Sequence, residues 1–221
     1  MSGSATVDIL ALPLEVRYDI FERVLAVPEP LHIFQDPGCP LEVFIPNKPY
    51  VWLALLRTSR QISYEARAVL YGANRFTIEE VELASYRSNI LKSFIKSIGS
   101  VNAGLLNHLR ITFPAAERID GLSGKIRLRE DTLQNLQLLR NECTGLKALE
   151  TLVYGKSSRY LTEDDSNNTQ FARDILGRID AELRSIIALN TIIVRFCSGP
   201  PASSVRNIFE GLGWTVLIGG I

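Results

Sequence analysis

Cysteine is scarce in this chain of 221 residues, and it never occurs as a close pair. The three cysteines, Cys39, Cys143 and Cys197, are far apart, so there is no Cys-x-x-Cys motif for zinc binding or thiol redox chemistry. The basic and then apolar segment of a secretory signal is also missing from the N-terminal residues. We therefore expect free thiols and a location in the cytoplasm or nucleus.

Net charge and long apolar runs are lacking as well. The 24 Lys and Arg residues balance 24 Asp and Glu residues, and no basic block stands out, so we expect no nucleic-acid partner. The longest wholly apolar run covers residues 50–56, far below the ~20 residues of a membrane-spanning helix. With 46% apolar and 22% charged residues, the composition is that of a globular protein, and we expect no membrane partner.

Motifs of catalysis are equally scarce. The two histidines, His32 and His108, lie in or just before strand-like segments, where a packed or surface role is more common than catalysis. No Gly-x-Ser-x-Gly motif occurs, and residues 121–125 lack the spacing of a phosphate-binding loop. The acidic residues 163–168 lack the spacing of an EF-hand. The sequence thus predicts neither an enzyme nor a cofactor or metal site.

The first distinctive feature that is present is an N-terminal helix over residues 13–27, where Pro13 suits the first helical position. A helical wheel shows two apolar stripes with Arg17 between them, the first formed by Val16, Ile20, Val24 and Val27, the second by Leu14, Tyr18, Phe21 and Leu25. The apolar arc covers half the circumference, whereas docking on a single core needs only about 100°. We therefore expect two neighbours for this helix, of which one is either another part of the chain or another protein.

Six prolines exclude a helix through residues 28–49. The strand-like segments 31–34 and 41–45 flank a segment with Pro and Gly, which predicts a hairpin with a long turn or else an irregular loop. Apolar spacing then predicts one continuous helix over residues 51–71 and a further helix over 88–98.

The rest of the chain repeats a spaced pattern, Leu-x-x-Leu-x-apolar. It starts at Leu106, Leu149 and Leu189, and more weakly at Leu212. Because amphipathic helix patterns separate these strand-like segments, the chain is expected to be α/β with a mostly parallel sheet. The recurrence predicts a degenerate leucine-rich-repeat-like array, interrupted by polar insertions at residues 118–125 and 155–168. This prediction puts four apolar positions in neighbouring strands, namely Ile111, Leu152, Ile192 and either Val216 or Leu217.

Residues 9–17 (Ile-Leu-Ala-Leu-Pro-Leu-Glu-Val-Arg) and 20–25 (Ile-Phe-Glu-Arg-Val-Leu) resemble the first helix of an F-box. Residues 53–66 (Leu-Ala-Leu-Leu-Arg-Thr-Ser-Arg-Gln-Ile-Ser-Tyr-Glu-Ala) resemble its closing helices, and their continuation through residue 76 is similar to F-box-like proteins of filamentous fungi. The resemblance implies an F-box-like helical module over residues 8–78, with the Pro-rich insert 28–49, followed by a helix–strand domain over 79–221.

The same resemblance implies a protein–protein interaction adaptor, the substrate-recognition subunit of a cullin–RING ubiquitin ligase. Its partners would be a Skp-type adaptor, a cullin and an unknown protein substrate. Leu12, Pro13, Ile20 and Val24 match the partner-facing F-box positions, while Leu14, Phe21 and Leu25 would hold the helix to Ile62, Ala66 and Leu70. The alternative is a binding or scaffold module outside the ligase, whose N-terminal helices are core and whose insert covers Ile20.

Overall fold

The computed structural model describes residues 8–36, 38–45, 52–78, 89–118, 126–154, 159–163 and 166–219. These residues form a mixed α/β fold around a mostly parallel sheet of seven strands. The strands of the structure are β1 Leu31–Phe34, β2 Glu42–Phe44, β3 Arg75–Ile78, β4 His108–Thr112, β5 Ala116–Arg118, β6 Ile126–Leu128, β7 Ala148–Val153, β8 Thr191–Phe196 and β9 Thr215–Ile218. The helices are α1 Leu14–Leu25, α2 Arg60–Ala73, α3 Ile90–Ile98, α4 Ser100–Ala103, α5 Glu130–Glu142, α6 Arg159–Thr162, α7 Ser166–Arg184 and α8 Ser203–Gly211, with short 3₁₀ helices at Ile9–Ala11 and Trp52–Arg57.

The predicted continuous helix over residues 51–71 is wrong, because a break divides it. After the 3₁₀ helix Trp52–Arg57, Ser59 has extended backbone angles, and its hydroxyl accepts a hydrogen bond from the Ile62 N–H at 3.2 Å. Ser59 is thus the N-cap of α2, and a capping serine starts a new helix rather than continuing an old one.

The Pro-rich segment forms a hairpin, which was one of its two predicted conformations. β1 and β2 pair antiparallel, and Gly38 in the turn has a φ of +79°, which glycine adopts at no steric cost. Residues 37 and 46–49 of this segment lie outside the described residues. β1 also pairs in parallel with β3, so the hairpin belongs to the main sheet.

The strand order in the main sheet is β2-β1-β3-β4-β7-β8-β9, and every pair except β1–β2 is parallel. This confirms the predicted mostly parallel sheet. Since the successive parallel strands all step in one direction, right-handed crossovers place the connecting helices on a single face. The proposed boundary between residues 78 and 79 falls between β3 and β4, which are hydrogen-bonded neighbours.

The described residues in and beside the insertions predicted at 118–125 and 155–168 include strands and helices. β5 and β6 pair antiparallel on either side of residues 119–125, which lie outside the described part of the chain. Within the second insertion, α6 occupies Arg159–Thr162, and α7 already begins at Ser166.

The register of the sheet corrects the predicted alignment of the repeats. Leu109 pairs with Leu149, which pairs with Ile192, so the second repeat starts three residues before Leu149, at Leu146. Leu152 pairs with Thr112 and is buried, but it lies outside the apolar core beneath the helices. Ile111 and Leu152 are therefore in neighbouring strands but on opposite faces, because side chains alternate along a strand.

Candidate partner-binding surface

The N-terminal helix α1 begins directly after Pro13 and packs against α2. Its buried residues are Arg17, Phe21 and Leu25, a spacing of four that forms one line along the helix. Phe21 and Leu25 are fully buried, as is Ala66 of α2. The prediction that these two residues dock α1 on the chain is confirmed.

The buried Arg17 forms a two-pronged ion pair with Glu65 of α2. Its Nε lies 2.8 Å from Oε2 and its Nη2 lies 2.7 Å from Oε1, while Nη1 donates to the Leu12 carbonyl at 2.6 Å. The hydrogen bond from Arg17 lowers the pKa of Glu65. This pairing joins two helices and the residue before Pro13, so Leu12 is held at the start of α1. Sequence reasoning missed the pair, although the position of Arg17 between two apolar stripes was a sign that it is buried.

Asn74 holds the other end of α1. Its Oδ1 accepts from the Val27 N–H at 2.8 Å, and its Nδ2 donates to the carbonyls of Leu25 at 3.0 Å and Leu70 at 2.9 Å. Asn74 is 1% exposed, so its side chain takes the place of water as the hydrogen-bond partner of backbone groups at the ends of α1 and α2. Both ends of α1 are thus tied to α2, which orients the remaining faces of α1.

A second line of apolar residues on α1 lies beside the buried line of Arg17, Phe21 and Leu25. We call Val16, Ile20 and Val24, with Leu12 and Pro13 before them, the apolar stripe. Val16 is 43% and Val24 39% exposed, whereas Ile20 is half-buried against the core. Leu12 is half-buried and Pro13 is exposed. Hence two of the four residues matched to the F-box pattern, Pro13 and Val24, are exposed, and the other two are partly so.

Leu14 does not lie where we predicted it. It is 47% exposed instead of docked on α2, and Tyr18 is exposed as well. The buried line of α1 starts at Arg17, and Leu14 lies in the first turn, before the helix makes its first buried contact. The exposed apolar area of α1 is therefore larger than one stripe.

Val16 and Val24 stay exposed, so the described part of the Pro-rich insert does not cover these two residues of the apolar stripe. β1 and β2 instead extend the edge of the sheet beside β3. Acidic residues border the stripe, because Glu15, Asp19 and Glu22 are exposed on the same helix. Chemically, this surface offers apolar area with a negative margin.

The described residues contain no group of three or more His, Cys, Asp and Glu side chains that could hold a metal ion. His32 lies on β1 beside Phe44, and His108 lies on β4 beside Glu150. No helix among the described residues is long and apolar enough to cross a membrane. Comparisons of this chain with protein-family models, with curated proteins and with solved structures give no match.

Proposed function

We propose that this chain is a protein–protein interaction adaptor, the substrate-recognition subunit of a cullin–RING ubiquitin ligase in the cytoplasm or nucleus. The observation that carries the proposal is the apolar stripe, because α1 is anchored by one side and exposes valines on another. Exposed apolar side chains that lie together on one surface are typical of protein contacts. The resemblance of α1 and α2 to an F-box makes a Skp-type adaptor the partner of this surface.

The proposed mechanism is tethering and involves no covalent chemistry. The apolar stripe binds the Skp-type adaptor and through it the cullin, while the helix–strand half of the chain holds the protein substrate. The substrate then has a high effective concentration beside the ubiquitin-loaded enzyme. The Arg17–Glu65 pair and Asn74 contribute by holding α1 rigidly on the rest of the chain.

The experiment is a binding titration of the purified chain with a purified Skp-type adaptor. We expect Val24→Asp and Val16→Asp each to weaken binding at least about tenfold, because an apolar contact would have to bury a carboxylate. The free energy of unfolding should change by less than about 1 kcal/mol, as at other exposed positions. Val101→Asp is the matched control, since Val101 is a 71% exposed valine of α4.

Three outcomes would contradict parts of this proposal. A wild-type chain that does not bind the adaptor overturns the role in the ligase. Equal loss of binding in Val24→Asp and Val101→Asp means that the stripe is not the contact. Loss of folding in both stripe variants, but not in Val101→Asp, supports the alternative in which α1 belongs wholly to the core of a scaffold module.

A further inference from the structure

The sheet face opposite the helices carries charged side chains near its centre. The register puts Arg110 of β4 beside Glu150 of β7, and Arg195 of β8 pairs with Leu152, two residues further along β7 and on the same face as Glu150. Arg110 and Glu150 are buried, yet neither is part of the apolar core. His108 precedes Arg110 by two residues and so lies on the same face. We call His108, Arg110, Glu150 and Arg195 the Glu150 cluster.

Three basic side chains in the cluster converge on one carboxylate. Arg110 Nη2 donates to Glu150 Oε2 at 2.9 Å, Arg195 Nε donates to Oε1, and His108 Nε2 lies 3.7 Å from Oε2. Burial by itself raises the pKa of Glu150, but His108, Arg195 and Arg110 outweigh it and lower that pKa to about 2. Glu150 is therefore ionised at neutral pH, and both of its oxygens are engaged by arginines.

Two buried donors of the cluster are left over. Among the residues that the structure describes, Arg110 Nη1 and His108 Nε2 have no hydrogen-bond acceptor, and Arg110 is 5% exposed. The buried Arg17–Glu65 pair differs from this cluster, since Nε, Nη1 and Nη2 of Arg17 all have acceptors. Folded proteins seldom bury polar nitrogens without an acceptor, and such a group calls for an explanation.

The charges of the cluster, like its unpartnered donors, indicate a missing anionic group. Among the described residues of the cluster, two arginines carry permanent positive charges, and the carboxylate of Glu150 neutralises only one of them. A further anionic group would balance the second charge and would supply the missing acceptors. Arginine is suited to this role, because its planar fork matches the oxygens of a carboxylate or phosphate.

We propose that the Glu150 cluster is a binding site for an oxyanion, either a phosphoryl or a carboxylate group carried by a partner molecule. One oxygen of the anion accepts from Arg110 Nη1, and another accepts from His108 Nε2. The partly exposed side chains are those of His108, at 24%, and Arg195, at 19%, so the anion enters from their side. Entry requires the His108 ring to turn aside. This site is separate from the apolar stripe and does not depend on the proposed ligase role.

The two histidines allow a direct test with the full chain. The imidazole signals of His108 and His32 are followed by NMR while inorganic phosphate, or in a second series acetate, replaces chloride at constant pH and ionic strength. We expect a saturable shift of the His108 signals and none of His32. Saturation by phosphate alone assigns the site to phosphoryl groups, and saturation by both ions extends it to carboxylates.

Variants separate the site from general charge effects. Arg195→Gln should weaken the binding of phosphate about tenfold, because it removes the positive charge of the cluster that Glu150 leaves unbalanced. Arg127→Gln is the matched control, because Arg127 pairs with Glu117 on the hairpin β5–β6 and its side chain is 65% exposed. That variant removes the same charge and should bind phosphate within about twofold of the wild type.

Some results would overturn the proposal. A linear and equal drift of both histidine signals with phosphate and with acetate means that no site exists. Equal weakening by Arg195→Gln and Arg127→Gln means that phosphate responds to net charge alone. Arg195→Gln and the wild type are compared by circular dichroism and by their unfolding midpoints. Should Arg195→Gln fail to fold, Arg110→Lys keeps the charge and removes the proposed donor Nη1, and unchanged phosphate binding in that variant also overturns the proposal.

Discussion

Replacing Glu150 by Gln removes the negative charge that Arg110 and Arg195 share, while it preserves the size of the side chain. Burial raises the pKa of Glu150, but its contacts with His108, Arg195 and Arg110 lower it from the ordinary 4.5 to about 2. The charged form is therefore favoured in the folded chain relative to the unfolded chain. Gln imitates the protonated, neutral form of Glu, so the variant lacks this contribution at every pH.

The size of the effect follows from the pKa difference. A shift from 4.5 to about 2 corresponds to about 3 kcal/mol of folding free energy when Glu150 is ionised in both states. Because the pKa is lower in the folded state, this contribution is complete above the unfolded-state value of 4.5. It shrinks as the pH falls toward 2, and linkage leaves about 1 kcal/mol of it at a pH near 3.

The assay is urea-induced unfolding of the wild type and of Glu150→Gln at a series of pH values from near 7 to about 3. We expect the stability difference to fall from about 3 to about 1 kcal/mol across this range. Glu210→Gln is the control, since Glu210 pairs with Arg206 at the surface, and its effect should stay below about 1 kcal/mol throughout. A difference between wild type and Glu150→Gln that does not depend on pH would refute this account of the Glu150 cluster.

Two further predictions concern the turns and the thiols. A methyl group on Gly145 would overlap the carbonyl oxygen of Gly104, so Gly145→Ala should lower the unfolding free energy by about 1–3 kcal/mol. Gly177→Ala is its control, because a methyl group there meets open space within α7, and it should raise stability by about 0.5–1 kcal/mol in the same urea assay. Among the three free cysteines, Cys39 is exposed, whereas Cys143 is buried and burial raises its pKa to about 12. Ellman's reagent should therefore label Cys39 quickly in the folded chain and Cys143 only on unfolding. The unfolded chain should show three reactive thiols in total. Rapid labelling of Cys143 in the folded chain would contradict its buried position.

Much of the local structure could be predicted from the sequence. The spaced patterns that start at Leu189 and Leu212 lead into β8 and β9, and the helix patterns between the strand-like segments form α5 and α7. The alternation of strand-like and helical patterns was sufficient to predict a parallel sheet, because two neighbouring parallel strands require a crossover connection, usually a helix, between them. The two-stripe pattern of α1 likewise predicted two neighbours for this helix, and α2 is one of them.

The pairing of distant residues was decided only by the tertiary structure. Leu149 and Leu152 are the same residue type three positions apart, and only pairing with Leu109 and Ile192 shows which of them faces the helices. The register is a property of two strands together, and a slip by one residue reverses every side chain.

The buried ion pairs were also decided only by the tertiary structure. Arg17 and Glu65 are 48 residues apart, and Arg110 and Glu150 are 40 apart. Nothing in the local sequence tells an arginine which of many carboxylates will become its partner. The sequence by itself thus determined most of the helices, most strands of the main sheet and the two apolar stripes of α1, because these depend on neighbours in the chain. The buried ion pairs and the two unpartnered donors of the Glu150 cluster depend on which strands and helices meet, which folding alone decides.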